Sequence, residues 1–449
     1  MGSSNRTRRA AKQKARDQRR GRSGHGPATP LDEDDAAGRA FAPPRYSPDM
    51  VSQIVLGLVA EDGLEGAADW HELLTDPPPA DRDNVRRGLE LALCSVIGRL
   101  WRAGWLPYDL TEHLRRTLPS AENELAGDVV AVQVGRYAQA SLHPRWAESV
   151  RRAEVGSERR PHGPAPQAWA QRHQVSAGGT VDAVLAILRV LHTLRVLPEI
   201  VPPPESTSAR RAARRAEAEA GVDVRVLDRV RALLAKAEST AYPEEAEALS
   251  AKAQELMNRH ALEHALVEGE ESQEAAVITM RIWLDAPYVA AKGLLVSAVA
   301  DANRATSIAF TGYDMVSVVG HAVDLDAVEI LVTSLLVQAN RAMLQEGRAA
   351  GSGGRSRSRS FRQSFLVAYA GRIRERLGEA AATAADEVAD DRLLPVLARR
   401  ASAVDEVVDD LFGDLAHKSV GVNDTDGWEA GRAAAEAASL TLERERLGS

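Results

Sequence analysis

Apolar residues recur every three or four positions along most of the chain, and this spacing limits the fold more than any other feature. On a helix of 3.6 residues per turn, such positions line up on one face. The stretch "NVRRGLELALCSVIGRLWRAGW" places these residues on that face: Val85, Leu89, Leu93, Val96, Ile97, Leu100 and Trp101. Aromatic residues make up only 4% of the chain, a composition that suits helices better than a β-sandwich. We therefore expect a mainly α-helical protein.

One region departs from the helical period. In "VITMRIWLD" the residues Ile278, Met280, Ile282 and Leu284 alternate with more polar positions, which predicts a half-buried strand. The stretches "ATSIAFT" and "MVSVVGH" flank "GYD", a pattern typical of a β-hairpin. Helical stretches lie between and after these candidates, with Asp324 opening a long one. We expect a small antiparallel sheet covered by helices, an α+β part within a mainly α fold.

The length of 449 residues favours two or three globular units. Changes in composition and period divide the chain into a disordered tail (1–45), an all-α domain (46–199), a Pro-rich and basic linker (200–220), an αα-hairpin (221–268) and an α+β domain (275–447). A flexible insert rich in Ser, Arg and Gly is expected at residues 348–360, inside the last domain.

The N-terminal tail carries a charge opposite to that of the rest of the chain. Residues 1–22 contain nine Lys or Arg and one Asp, a net charge of +8, whereas the whole chain carries -8, which leaves -16 for the remainder. The nine cations are Arg6, Arg8, Arg9, Lys12, Lys14, Arg16, Arg19, Arg20 and Arg22. Such a run suits RNA or DNA, because each neutralised phosphate releases counterions. A tail that merely aids solubility is an equally weighted alternative.

A second cationic stretch lies in the segment "GSGGRSRSRS". Arg355, Arg357 and Arg359 are its arginines, and Arg348 and Arg362 flank it, with no acidic residue among them. Arg355, Arg357 and Arg359 are candidate phosphate contacts. A plain linker is the favoured alternative, because Ser, Gly and Arg in this proportion are typical of flexible connections.

Cysteine content and hydropathy limit the cellular setting. Cys94 is the single cysteine, which excludes an intramolecular disulfide and any site with several thiolate ligands. No apolar run is long enough to cross a bilayer, and the basic start is not followed by the apolar core of a secretory signal. We expect a soluble, cytoplasmic protein without a membrane partner.

A short motif raises the possibility of metal chemistry. His260, Glu263 and His264 follow the order H-x-x-E-H, in which two histidines bind zinc and the glutamate activates a water molecule. The apolar face of this helix shifts after His260, however, which favours a histidine at the end of a helix. A third ligand is also needed, and only His321 or Asp324 suggests itself. No cofactor is therefore predicted, and zinc is kept as an alternative.

The helical segment "VRALLAKAESTAYPEEAEALSAKAQELMNRH" resembles the module known as domain of unknown function 2786, found in bacterial and phage proteins. The matching positions are Leu233, Leu234, Ala237, Glu238, Glu245, Ala246, Ala253, Gln254, Leu256, Met257 and His260. Two later stretches, "VVGHAVDLDAVEILVTSLLVQA" and "SFRQSFLVAYAGRIRERL", are similar to the domain that usually accompanies this module. The resemblance covers residues from about 224 to 447 and implies no activity.

These observations favour a nucleic-acid-associated binding protein that uses its cationic tail and is not an enzyme. The alternatives are a metal-dependent hydrolase that uses the H-x-x-E-H motif and a protein-interaction scaffold with a protein partner. Sequence-specific DNA reading by the αα-hairpin is disfavoured, because its second helix carries Glu244, Glu245, Glu247 and Glu255 where a recognition helix needs cations and amides. No glycine-rich phosphate loop is present to support nucleotide-driven chemistry.

Overall fold

The N-terminal half folds into helices whose starts are marked by capping side chains. Ser47 Oγ accepts a hydrogen bond from the Met50 N–H, and Ser176 Oγ accepts one from the Gly179 N–H. The helices described here are α1 (Pro48–Gly57), α2 (Ala67–Thr75), α3 (Arg82–Arg102), α4 (Pro107–Thr117), α5 (Ser120–Val134), α6 (Pro144–Arg152), α7 (Ala165–His173) and α8 (Ala177–His192). A single 3₁₀ turn, Ser157–Arg159, lies between α6 and α7.

A computed structural model describes ten stretches of the chain: residues 45–60, 66–138, 142–209, 211–212, 232–233, 277–310, 312–349, 358–387, 393–413 and 420–438. The predicted αα-hairpin, apart from Ala232 and Leu233, lies outside these residues. The same holds for the predicted tail before residue 45.

Helix α3 passes through the centre of the N-terminal helices. Every residue that the sequence places on its apolar face is at least 93% buried. Trp101, at the end of that face, meets Trp146 of α6 edge to face, with the ring centroids 5.0 Å apart. Large aromatic rings thus lock together helices that are distant in sequence. The helical spacing predicted for this region is confirmed.

Three antiparallel strands form the sheet: β1 (Val277–Trp283), β2 (Thr306–Phe310) and β3 (Met315–His321). The order across the sheet is β1-β3-β2, so β3 is central, and all seven of its residues are buried. The register pairs Val277 with His321 and Trp283 with Met315. β2 and β3 form the expected hairpin, with Thr306 opposite Val319.

Five further helices complete the described chain: α9 (Val289–Ala302), α10 (Ala322–Ala349), α11 (Arg359–Glu387), α12 (Leu393–Phe412) and α13 (Thr425–Glu436). Helix α9 connects β1 to β2, and α10 begins directly after β3. The predicted insert therefore gives its first two residues to α10 and its last two to α11. A mainly α fold with one small antiparallel sheet is confirmed.

Both faces of the sheet are covered, whereas the alternating pattern predicts a half-buried strand. Ile278, Met280 and Ile282 point towards the core shared with α9, α10 and α11. The opposite face of β1 carries Thr279 and Arg281, which are 2% and 4% exposed. Helices of the N-terminal half and α12 lie against this second face. The two polar residues of the second face are therefore buried, whereas the apolar residues of the first face are partly buried.

The chain between α8 and residue 209 runs along the interface between the helical half and the sheet. Leu197 and Val201 are buried in the core of the helical half. The carbonyl of Pro198 accepts a hydrogen bond from Arg281, and that of Ile200 accepts one from Arg145. The described residues from 46 onward belong to one compact unit, in which the described parts of the predicted all-α and α+β domains are in direct contact.

Helices α11 and α13 approach each other closely through glycine. Gly427 and Gly431 lie one turn apart on α13, and each faces the backbone of α11. A Cβ on Gly431 would lie 2.2 Å from the Phe365 carbonyl oxygen, well inside van der Waals contact. Only a residue without a side chain allows this approach. Within the described part of the chain, no helix combines the length and the apolar character needed to span a membrane.

Candidate anion-binding site

Most of the predicted site residues lie outside the described residues. This holds for the nine cations of residues 1–22, for Arg355 and Arg357, and for the H-x-x-E-H residues His260, Glu263 and His264. Their roles in nucleic-acid and zinc binding stay predictions. Arg359 is described, as are the two residues named as a possible third zinc ligand, His321 and Asp324.

Arg359 occupies the first position of α11, and Ser358 precedes it as the cap. The Phe361 N–H donates a hydrogen bond to Ser358 Oγ at 2.9 Å, and the Arg362 N–H donates to the Ser358 carbonyl. This is the geometry of a serine at a helix N-terminus. The positive end of the dipole of this 29-residue helix therefore lies at the residue Arg359.

A cavity of about 300 Å³ opens beside this helix start. The described residues that line it are Arg359, Ser360, Gln363, Ser364, Gly421 and Asn423. No carboxylate is among them, so the lining provides mainly hydrogen-bond donors and one cation. The volume lies at the small end of the range for ligand pockets.

Hydrogen bonds across the cavity join α11 to the segment before α13. The Gln363 amide nitrogen donates to the Gly421 carbonyl at 3.2 Å. Ser364 Oγ accepts from the Asn423 N–H at 3.2 Å and from the Asp424 N–H at 3.1 Å. Asp424 in turn caps α13 by accepting from the Gly427 N–H. The cavity wall is thus set by bonds between residues about 60 positions apart.

The surroundings of Arg359 differ from those of many other arginines of the described chain. Arg281 is paired with Asp109, Arg304 with Asp324, Arg374 with Asp301, and Arg172 with Asp128. No carboxylate within the described chain lies in ion-pair range of the exposed Arg359 guanidinium. Its charge is therefore available to a ligand.

A buried ion pair at the second face of the sheet was not anticipated from the sequence. Arg281 donates to Asp109 Oδ2 of α4 at 2.7 Å and to the Gly104 and Pro198 carbonyls. The Trp283 indole N–H donates to Asp109 Oδ1 at 2.8 Å. The two charges face each other, and both groups form hydrogen bonds with further protein atoms, so the pair joins the sheet to the helices. The signal in the sequence is a lone arginine inside the apolar strand "VITMRIW".

Burial shifts several pKa values at the same interface. Loss of water, followed by repulsion from Arg281, lowers the pKa of Arg145 to about 10. Burial, followed by the nearby charge of Arg116, lowers the pKa of His113. Burial also lowers the pKa of Lys292, against the opposing effect of Asp285 and Asp314. His113 packs its ring against Trp105, Trp283 and Tyr313 at this interface.

Among the described residues, His321 and Asp324 are the candidates for zinc binding, and Cys94 is the candidate for thiol chemistry. His321 is buried at the end of β3, and Asp324, in the first turn of α10, accepts a hydrogen bond from Arg304. Within the described stretches, no group of three His, Cys, Asp or Glu side chains is placed to hold a metal ion. Burial raises the pKa of Cys94 to about 12, so this thiol stays protonated near neutral pH.

Comparison with known proteins gives one match. A family model described as a protein of unknown function, DUF2786, matches residues 225–264. This is the segment in which the sequence resembles that module, and nearly all of it lies outside the described residues. No curated protein and no solved structure matches the chain. The match therefore covers the hairpin segment alone and carries no activity with it.

Proposed function

We propose that the protein binds nucleic acid through electrostatic contacts with the phosphate backbone, independently of base sequence. The observation that carries this proposal is the charge partition of the chain. Residues 1–22 hold a net charge of +8, and the remaining chain holds -16. A polyanion is attracted to the first segment and repelled by the second, so the cationic tail is the tether.

The pairing of the arginines supports this assignment. The Asp128 carboxylate is in ion-pair contact with Arg159 and Arg172, and Arg372 bonds to both oxygens of Glu436. Cations held in this way contribute little attraction to a phosphate, because a nearby carboxylate neutralises them. Arg359 lies next to no such carboxylate in the described chain, and Arg355 and Arg357 precede it in sequence. These three arginines are the second set of proposed contacts.

We also infer that the residues after the hairpin are the companion domain that usually follows the DUF2786 module in bacterial and phage proteins. The support is the pair of stretches quoted above, which include Gly320, Asp324, Phe361 and Phe365. A cytoplasmic location agrees with the single cysteine and with binding to RNA or DNA.

The test compares the full-length chain with a variant in which all nine tail cations are replaced by glutamine. Binding to a fluorescent 20-nucleotide RNA, its DNA equivalent and a DNA duplex is measured by anisotropy between 50 and 300 mM salt. We expect the logarithm of the association constant to fall steeply with the logarithm of salt. Each lost phosphate contact reduces that slope by about 0.9 on a duplex and about 0.7 on a single strand.

The matched control removes charges that are already paired. Arg86 forms an ion pair with Asp83, and Arg151 forms one with Glu148, both on exposed helix surfaces. Replacing both by glutamine should leave the affinity and the salt slope nearly unchanged. Equal binding by the glutamine-tail variant and the wild type would show that the tail is not the tether.

A further inference from the structure

The cavity at the start of α11 contains several hydrogen-bond donors without a protein acceptor. Within the described chain, the Arg359 guanidinium, the Ser360 hydroxyl and the Asn423 side-chain amide have no hydrogen-bond or ion-pair partner. All three line the same cavity of about 300 Å³. Arg359 and Asn423 are exposed, so water solvates their donors in the free protein, and a ligand that supplies oxygen atoms can take the place of that water.

Ser364 provides an independent observation, because it is buried and its hydroxyl is only half used. The residue is 1% exposed and lines the cavity. Its Oγ accepts hydrogen bonds from the Asn423 and Asp424 N–H groups, which together occupy both lone pairs of the oxygen. The hydroxyl proton has no acceptor among the described residues. A buried donor left unpaired costs about 1–3 kcal/mol, which a ligand oxygen in the cavity would recover.

The electrostatics of the cavity select an anion. Arg359 contributes a full positive charge, and α11 adds the partial positive charge of its first turn. No carboxylate is among the described lining residues. A tetrahedral oxyanion offers acceptors in several directions and forms charge-assisted bonds with a guanidinium. Phosphate fits the charge of the cavity and the number of its donors.

We propose that this cavity binds a phosphate group, with Arg359, Ser360, Ser364 and Asn423 as its donors. The phosphate comes from the backbone of the bound nucleic acid or from free inorganic phosphate, which share the same recognition chemistry. Identification of the backbone as the source rests on the function proposed above. The Gln363 amide holds the opposite wall by its bond to Gly421 and is not counted as a ligand.

The experiment uses the full-length protein and inorganic phosphate as the probe. Arg359→Gln removes the cavity cation, and Asn423→Asp places a carboxylate where a donor stands. Arg362→Gln is the matched control, because it removes the same charge three residues along the same helix from a side chain that does not line the cavity. Ser364 is left unchanged, since it also holds the segment before α13.

Titration calorimetry and phosphate-dependent shifts in Tm give the affinities. We expect Arg359→Gln and Asn423→Asp each to weaken phosphate binding at least about tenfold, and Arg362→Gln to change it less than about twofold. Unchanged Tm values in phosphate-free buffer confirm that the variants fold. Equal losses for Arg359→Gln and Arg362→Gln, or no phosphate binding by the wild type, would overturn the proposal.

A second arm separates the two sources of phosphate and the two proposals. If the backbone supplies the phosphate, Arg359→Gln lowers RNA or DNA affinity about tenfold and the salt slope by about one contact, and inorganic phosphate competes. If free phosphate is the ligand, Arg359→Gln changes phosphate affinity alone. The glutamine-tail variant keeps the phosphate affinity of the wild type in either case, so failure of the tail tether leaves the cavity result intact.

Discussion

Asp109 and Arg281 form an ion pair whose side chains are only 3% and 1% exposed. Water contributes almost nothing to this pair, so protein groups must satisfy both charges. The Gly104 and Pro198 carbonyls and the Trp283 indole N–H do so. The Nε atom of Arg281 is left without a partner in the described chain. Arg281, which lies in β1, therefore connects this strand to α4 and to the segment after α8.

Replacing Asp109 with asparagine should therefore be costly, although the two side chains have nearly the same shape. The change leaves the Arg281 charge buried without its counter-charge, and we expect the free energy of unfolding to fall by about 3–5 kcal/mol. Asp83→Asn removes the partner of Arg86 at a site that is 80% exposed, and it should cost less than about 1 kcal/mol. Urea denaturation followed by tryptophan fluorescence measures both. Similar losses in the two variants would contradict a special role for the buried pair.

Gly427 and Gly431 have no side chains, and this allows helix α13 to pack directly against α11. The two glycines lie against the backbone carbonyls of Phe361 and Phe365. The rings of Phe361, Phe365 and Tyr369 stack along α11. Close helix contact of this kind positions the segment at residues 421–424, which forms one wall of the cavity. The packing of one element thus determines the geometry of the proposed binding site.

A pair of glycine substitutions tests the close contact. Gly431→Ala puts a Cβ 2.2 Å from the Phe365 carbonyl oxygen, so the helices must separate, and we expect a loss of about 1–3 kcal/mol. Gly378→Ala on α11 meets nothing within 4 Å and should stabilise the helix by up to about 1 kcal/mol. Thermal denaturation of both variants in the same buffer measures the two changes in stability. A stabilising effect of Gly431→Ala would show that the contact is looser than the structure indicates.

The interface between the helical half and the sheet links the stability of the whole molecule to pH. His113 packs against Trp105, Trp283 and Tyr313 at this interface. His143 caps α6, and its Nδ1 accepts a hydrogen bond from the Arg145 N–H, which requires a neutral ring. Burial lowers the pKa of both histidines, followed by the charge of Arg116 for His113 and of Arg145 for His143.

Acidification should destabilise the protein through these two rings. Because their folded-state pKa values lie below the ordinary 6.5, the unfolded chain takes up protons first as the pH falls through 6.5. The free energy of unfolding then decreases by at most about 1.4 kcal/mol per pH unit for each histidine. We expect the loss between pH 7.5 and 5.5, measured by urea denaturation, to be smaller in the double variant His113→Gln/His143→Gln. An unchanged loss would assign the effect to other groups.

The helices and strands of the described chain follow from local sequence. The buried face of α3 agrees with its period, because i to i+4 contacts are made within one helix. Helix α10 begins at Ala322, two residues before the predicted start, with Asp324 in its first turn. The β2–β3 hairpin follows from two alternating runs and a short turn. One error arises in β1, where alternation predicts that the polar face is exposed. The structure buries Thr279 and Arg281 on that face and leaves the apolar residues of the other face partly buried. The alternation of residues along a strand shows which side chains share a face. It does not show what packs against that face.

For the candidate site, the sequence singled out Arg359 by its place in a cationic run and missed the rest of the cavity. Its wall joins residues 359–364 to residues 421–423, which no local pattern relates. The Asp109–Arg281 pair likewise spans 172 positions. Contacts of this range depend on how whole elements pack, and their partners leave no periodic signal. An arginine in an apolar strand shows only that a buried partner is needed.

The amino-acid sequence by itself therefore determined the helical class, the small antiparallel sheet and the separation of a cationic start from an acidic remainder. These depend on hydrophobic period and charge, which are properties of neighbouring residues. Tertiary structure alone decided which charges are neutralised and which remain available. It buries Arg281 against a carboxylate from another element and leaves Arg359 beside a cavity, because desolvation and pairing depend on neighbours in space and not on neighbours along the chain.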